Sequence, residues 1–102
     1  MKEKTPWYIQ NSPKLGSAYQ HFRNVTNAEG VLDSKTRELL MVALSTVFRC
    51  PHCTEDHIVR AQEAGATKEE ITEALLIAAF EGAGTQLAWK KELFNKLLGD
   101  EG

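Results

Sequence analysis

The segment Cys50-Pro51-His52-Cys53-Thr54-Glu55-Asp56-His57 holds both cysteines of the chain and two of its three histidines. A Cys-x-x-Cys pair can close a disulfide, bind a metal, or act in turn as nucleophile and resolving thiol. A disulfide across two intervening residues restrains almost no chain entropy, so the pair reads as chemical rather than structural. Pro51 suits the first position of a helix and disfavours a helical conformation at Cys50. Cys50 is therefore expected at an N-cap and Cys53 in the first turn. The unpaired N–H groups and positive end of a helix favour a thiolate over a thiol there. His57 lies four residues after Cys53, on the same helix face, where it can accept a thiol proton directly or through one water. Cys50 is roughly on that face too, two turns away, and His52 points elsewhere on the turn.

Plainer readings compete with each of these. A structural zinc site uses the same ligand types but wants four of them. Cys50, Cys53 and His57 supply three, and His52 is poorly placed on the same short turn to be a fourth, so metal ranks below redox and no cofactor is expected. His57 could be a solvated helix residue, as His21 is read to be. Glu38, taken alone, is an acidic side chain near a helix start, where the macrodipole favours it.

The rest of the chain reads as helical scaffolding, and no strand candidate, repeat or second domain is visible. One domain is expected over residues 1–102. Pro6 and Pro13 argue against a helix through residues 1–13, so an extended arm carrying Trp7 and Tyr8 is expected there. Four helices are expected at about 14–28, 35–49, 51–64 and 68–82, with a fifth at about 85–98 after Gly82 and Gly84. Asp33 or Ser34 can cap the second, Gly65 closes the third, and Thr67-Lys68-Glu69-Glu70 is a capping-box sequence for the fourth. On the second helix Leu39, Val42, Ala43, Thr46 and Val47 form one face, while Leu40, Met41, Leu44 and Phe48 fill much of the rest. The fourth is similarly apolar around Leu76, Ile77 and Phe80. Helices apolar on most sides are buried on more than one side, and in a chain of 102 residues a second subunit is the expected cover.

Composition narrows the function classes. Apolar residues make up 42% of the chain, which argues against disorder, and the net charge of −2 comes without a basic cluster, which argues against nucleic acid. The longest apolar run, Ala74 to Phe80, is too short to span a bilayer. No apolar core follows the charged N-terminus, so no signal peptide is visible and a cytoplasmic location is expected.

Three blocks together carry a family resemblance: Leu32-Asp33-Ser34-Lys35-Thr36-Arg37-Glu38-Leu39-Leu40, then Cys50-Pro51-His52-Cys53 with His57, then Ala64-Gly65-Ala66-Thr67-Lys68-Glu69-Glu70-Ile71. They resemble the carboxymuconolactone decarboxylase family, and within it the alkylhydroperoxidase-D-like branch. That branch is marked by a Glu, eleven residues, then Cys-x-His-Cys-x-x-x-His, and Glu38, Cys50, His52, Cys53 and His57 fall in step with all five positions. The resemblance covers about residues 31–82. It implies an all-α fold interlocked as a trimer or hexamer, and a thiol peroxidase or disulfide reductase activity. In that activity Glu38 and His57 would relay a proton by way of water, Cys50 and Cys53 would be the redox pair, and His52 would be a supporting group.

The expected chemistry is then a peroxide-linked redox cycle. One thiolate attacks a hydroperoxide and becomes a sulfenic acid, the second condenses with it to a disulfide, and a dithiol, thioredoxin-like or lipoyl-type donor reduces that disulfide. The cap position favours Cys50 as the exposed exchange thiol, and His57 favours Cys53 as the peroxide-reactive one. Two rivals remain: a lactone decarboxylase-type enzyme using His52 or His57 as acid/base, and a non-enzymatic oligomeric module whose thiols sense oxidation. One distance is at odds with the relay. A straight helix over 35–49 puts Glu38 about 18 Å along its axis from Cys50, while His57 comes back only about 10 Å. A crossing angle, a bridging water or a neighbouring subunit is expected to close that gap.

Overall fold

The computed structural model describes residues 4–28 and 30–100. The first three residues of the expected arm and the last two residues of the sequence lie outside them. Six α-helices make up the described chain: α1 (Trp7–Asn11), α2 (Pro13–Asn27), α3 (Ser34–Val47), α4 (Pro51–Glu63), α5 (Lys68–Ala88) and α6 (Lys91–Leu98). Two compact units divide between Asp33 and Ser34. No described helix is long and apolar enough to cross a membrane.

In the first unit, residues 7–11 are helical where an extended arm was expected. The prolines bracket this helix instead of interrupting it. Pro6 is the N-cap, with its carbonyl accepting from the N–H groups of Ile9 and Gln10 at 3.0 and 3.1 Å, and Pro13 is the first residue of α2. At those positions a missing N–H costs nothing. Gly16 lets α1 lie against α2: a Cβ there would fall 2.3 Å from the Tyr8 carbonyl oxygen. Tyr8 packs edge-on against Tyr19, with ring centroids 5.1 Å apart, and donates a hydrogen bond to Gln20 Oε1.

In the second unit α3 is the hub, packed against both α4 and α5. Val42, Ala61, Ala66 and Ile71 are its buried apolar centre, with Leu39, Ile58 and Leu75 packed around them. Two turns of the same kind join the three helices. After α3, Cys50 N–H bonds to Ser45 O at 3.0 Å and Arg49 N–H to Thr46 O at 3.1 Å. After α4, Ala66 N–H bonds to Ala61 O at 2.9 Å and Gly65 N–H to Gln62 O at 3.0 Å. Both are Schellman closures, which require one residue in the left-handed region. Gly65 occupies it in the second turn at φ 95° and Arg49 in the first at φ 59°.

The capping box forms as expected. Thr67 Oγ1 accepts from Glu70 N–H at 3.0 Å, and Glu70 Oε1 accepts from Thr67 N–H at 2.9 Å. Lys35 at the start of α3 donates to the other Glu70 oxygen at 2.8 Å. That bond first, and the Thr67 N–H second, hold the Glu70 carboxyl below its ordinary value. Beyond this point the expectation fails. α5 runs through Gly82 and Gly84 to Ala88, and α6 begins only at Lys91, so the break between the last two helices lies later than expected; the described residues hold six helices rather than five because α1 is an added one. A glycine weakens a helix by about 1 kcal/mol but keeps its N–H, so it does not end one as proline does.

Candidate active site

Cys50 is the N-cap of α4, with extended backbone at φ −105° and ψ 95°. It is joined to Cys53 by a disulfide. Its Sγ also accepts the Cys53 N–H at 3.2 Å, so sulfur does the work that an oxygen does at an ordinary cap. Pro51 fills the first helical position, as the sequence predicts.

A second pair of side chains holds this cap from below. Thr54 bonds to the Cys50 carbonyl through both its N–H, at 2.9 Å, and its hydroxyl, at 2.8 Å. The Thr54 hydroxyl also lies 3.0 Å from the hydroxyl of Ser45, a buried residue of α3. Cys50 is thus tied to α3 through its N–H and to α4 through its carbonyl. Sequence reasoning passed over Ser45 and Thr54. Their signal was present: the buried residues of α3 are Glu38, Val42 and Ser45, three positions of one stripe that includes two polar side chains. The stripe read from the sequence followed the apolar residues and missed it.

The other polar residue of that stripe is Glu38. Its Oε2 lies 2.8 Å from His57 Nδ1, with side-chain exposures of 8% and 18%. No neighbouring subunit or water is needed for this contact. α3 ends at Val47, not 49, so Glu38 lies about 14 Å from its end and His57 about 9 Å from the start of α4. The two side chains span the remaining offset of about 5 Å. A carboxylate oxygen only accepts, so in this contact it is Nδ1–H that donates, which leaves Nε2 as the other position of the ring. His57 is one turn beyond Cys53 on α4, on the same face of the helix.

His52 is not brought into this group. It is 85% exposed, and its Nε2 lies 3.4 Å from Asp56 Oδ2 one turn along α4. Among the described residues no group of three His, Cys, Asp or Glu side chains is placed to hold a metal ion. Beside Cys50 an open cavity of about 650 Å³ is lined by Thr46, Arg49, Pro51, Ile58 and Val59, with Thr54 and Glu55. The site therefore combines a two-cysteine couple at a helix N-terminus, a buried carboxylate paired with a partly buried imidazole, and an open, mostly apolar recess.

Comparison with known proteins bears on the family and the fold. The model of the carboxymuconolactone decarboxylase family matches residues 13–95. "Uncharacterized protein 4 in cox locus" of Paracoccus denitrificans is 39% identical over 74 residues, which cover 72% of this chain and 67% of that one. Alkyl hydroperoxide reductase AhpD of Corynebacterium kroppenstedtii is 39% identical over 70 residues, covering 64% of this chain and 40% of that protein. The chain thus spans about two fifths of the length of that reductase. A crystal structure of a protein from Methanobacterium thermoautotrophicum superposes with a TM-score of 0.73 at 32% identity, covering 85% of this chain and 98% of that one.

Proposed function

This chain belongs to the carboxymuconolactone decarboxylase family, and from that premise we propose that it is a thiol-dependent peroxidase, or more broadly a disulfide oxidoreductase, with an antioxidant role. The Cys50–Cys53 pair is the redox couple, and the relatives named alkyl hydroperoxide reductase support that role. The observation that carries the finer reading is the 2.8 Å contact between buried Glu38 and His57 Nδ1 on the helix that bears both cysteines. A redox-inert structural disulfide has no use for it.

His57 Nε2 takes the Cys53 thiol proton, while Glu38 holds the imidazolium that forms. The Cys53 thiolate attacks the outer peroxide oxygen, the O–O bond breaks, and the departing alkoxide receives the proton from His57 to leave as an alcohol. Cys53 is then a sulfenic acid. The Cys50 thiol then attacks that sulfur: the S–S bond forms, the S–OH bond breaks, and the Cys50 proton goes to the departing oxygen, which leaves as water. A dithiol donor of thioredoxin-like or lipoyl type returns two electrons by exchange, beginning at Cys50. His52, outside the buried pair, is a supporting group at the rim. This cycle suits a cytoplasmic protein. The α3–α5 face, apolar beyond what one chain covers, suits a homo-oligomer, a trimer or a hexamer.

The deciding experiment is intact mass of the reduced protein before and after one equivalent of an organic hydroperoxide. The expected result is loss of two hydrogens within seconds, reversed by a dithiol and abolished in Cys50→Ser, which should instead trap a sulfenic acid at Cys53. An unchanged mass would remove the peroxidase reading. Activity towards a lactone that survives serine at both cysteines would point to the decarboxylase branch instead.

A further inference from the structure

The residue that caps α4 is also a reacting group. Cys50 Sγ accepts the Cys53 N–H at 3.2 Å, a bond that sulfur makes weakly. Through a redox cycle this sulfur is in turn a thiol, a nucleophile and half of a disulfide. The side-chain bond that ordinarily fixes a cap residue is therefore not constant here. The residue before it adds to the difficulty. Arg49 holds φ 59°, a left-handed backbone that a side chain adopts only at a cost, and a loosened Cys50 would let it relax.

The hold that stays constant is on the Cys50 carbonyl. Thr54 N–H gives it the ordinary first bond of the helix at 2.9 Å, and the Thr54 hydroxyl gives it a second at 2.8 Å. With both lone pairs engaged, the carbonyl is kept from swinging. Cys50 then stays at ψ 95°, which sets the direction of its Cβ and Sγ. A threonine bonded to the carbonyl four residues back is common in helices and says little alone. Here that carbonyl belongs to the cap, and a second hydroxyl from another helix meets the threonine. Ser45 Oγ lies 3.0 Å from Thr54 Oγ1 and 2.9 Å from the Val42 carbonyl. Ser45 and Val42 are both buried, so the tether ends in the packed centre. When Ser45 donates to Thr54, the Thr54 proton is left for Cys50. Packing alone does not call for this chain. Valine has the shape of threonine, and replacing both partners of a buried hydrogen bond by apolar groups is close to neutral.

We infer that Thr54 and, behind it, Ser45 are positioning residues for the resolving step, in which Cys50 meets an oxidised Cys53. The inference rests on the redox reading given above and assigns that step to residues that neither meet the peroxide nor carry its proton. The Cys50 sulfur attacks the sulfenic sulfur of Cys53: the S–S bond forms, the S–OH bond breaks, and the Cys50 proton leaves with the oxygen as water. The hydroperoxide of the preceding step is the only oxidant. Attack within one molecule depends on how much of the time the two sulfurs are aligned, and a displacement of about 1 Å is felt strongly. Glu38 and His57 act in the peroxide step, so two polar pairs divide the cycle between them.

The partition of the sulfenic acid tests this. The reduced full-length protein receives one equivalent of cumene hydroperoxide in a fixed excess of dimedone, and intact mass gives the ratio of disulfide to Cys53 adduct. Trapping in Cys50→Ser, with and without Thr54→Val, corrects for any change in access of the trap. Thr54→Val should lower the corrected ratio by about tenfold, and Thr54→Ser, which keeps the hydroxyl, should restore most of it. Ser45→Ala should lower it in the same sense by about threefold, and it decides the matter if Thr54→Val does not fold. A variant that is less stable but folded, by circular dichroism, partitions as the unaltered protein does. An unchanged ratio in Thr54→Val, or an equal fall in Thr54→Ser, would overturn the positioning role and leave the redox couple standing. Neither adduct nor disulfide in the unaltered protein would overturn the redox reading, and this inference with it.

Discussion

Glu38 and His57 are worth most to the protein as a pair. Glu38→Gln keeps an acceptor for the His57 Nδ1–H but removes the charge that stabilises the imidazolium. Peroxide-driven disulfide formation should slow by about ten- to a hundredfold, the usual scale for losing a positioned proton carrier or its carboxylate support. Rapid-mix mass spectrometry would measure it, with far-ultraviolet circular dichroism confirming the fold. An unchanged rate would mean that the pair serves packing only. His57 was readable from its spacing after Cys53, whereas Glu38 was readable only through the family resemblance, because taken alone it is an acidic side chain near a helix start. Ser45 and Thr54 were not readable, because their contact depends on how α3 registers against α4, and no local pattern within either helix carries that. Arg49 was hidden for another reason: the sequence signal for a left-handed turn residue is glycine, and an arginine in that role gives none.

At the scale of elements, the matched turns set up a comparison inside one molecule. Arg49→Gly should raise stability by about 0.5–1 kcal/mol, and Gly65→Ala, at φ 95°, should lower it by about 1 kcal/mol. Chemical denaturation of the two variants would check both signs. The Lys35–Glu70 contact ties the start of α3 to the start of α5 and gives a pH dependence. Glu70 titrates below its ordinary value of 4.5 when folded, so its contribution is fully present above that value and is lost as pH falls through the folded one. Glu70→Gln should therefore flatten the acid limb of a stability–pH curve and leave the neutral region level. A limb of unchanged slope would assign the acid sensitivity elsewhere. The helix starts were well marked in the sequence, by Pro51 and by the Thr67–Glu70 box. The stops were less so: Gly82 and Gly84 read as punctuation, but inside α5 nothing near them obstructs the helix. Pro6 and Pro13 misled in the opposite sense, reading as breakers although each stands at a helix start.

Across the whole molecule, the buried apolar centre is small for the amount of hydrocarbon the helices carry. Leu40, Leu44, Val47 and Ile77 are each about half exposed and line a groove of about 740 Å³ between α3 and α5. If that face is covered by further copies, a charge introduced there should dissociate the assembly. Leu44→Glu should shift the species seen by sedimentation towards the monomer while the unaltered protein stays associated. A protein that is monomeric before any substitution would end the oligomer proposal. Apolarity on most sides of α3 and α5 was legible in the sequence as surplus. What would cover it was not, since one chain's pattern says which faces want cover and not what supplies it.

The stripe of α3 that faces α4 carries one consequence further. Two of its three buried positions, Glu38 and Ser45, are occupied by side chains that a helix–helix seam would hold more firmly if they were hydrocarbons of similar size. Robustness and reactivity therefore pull in opposite directions along a single helix face. A population of variants selected only for survival at high temperature should accumulate apolar residues at 38 and 45 and become sturdier and inert. Selection that also demands turnover should hold both positions fixed and find its added strength elsewhere.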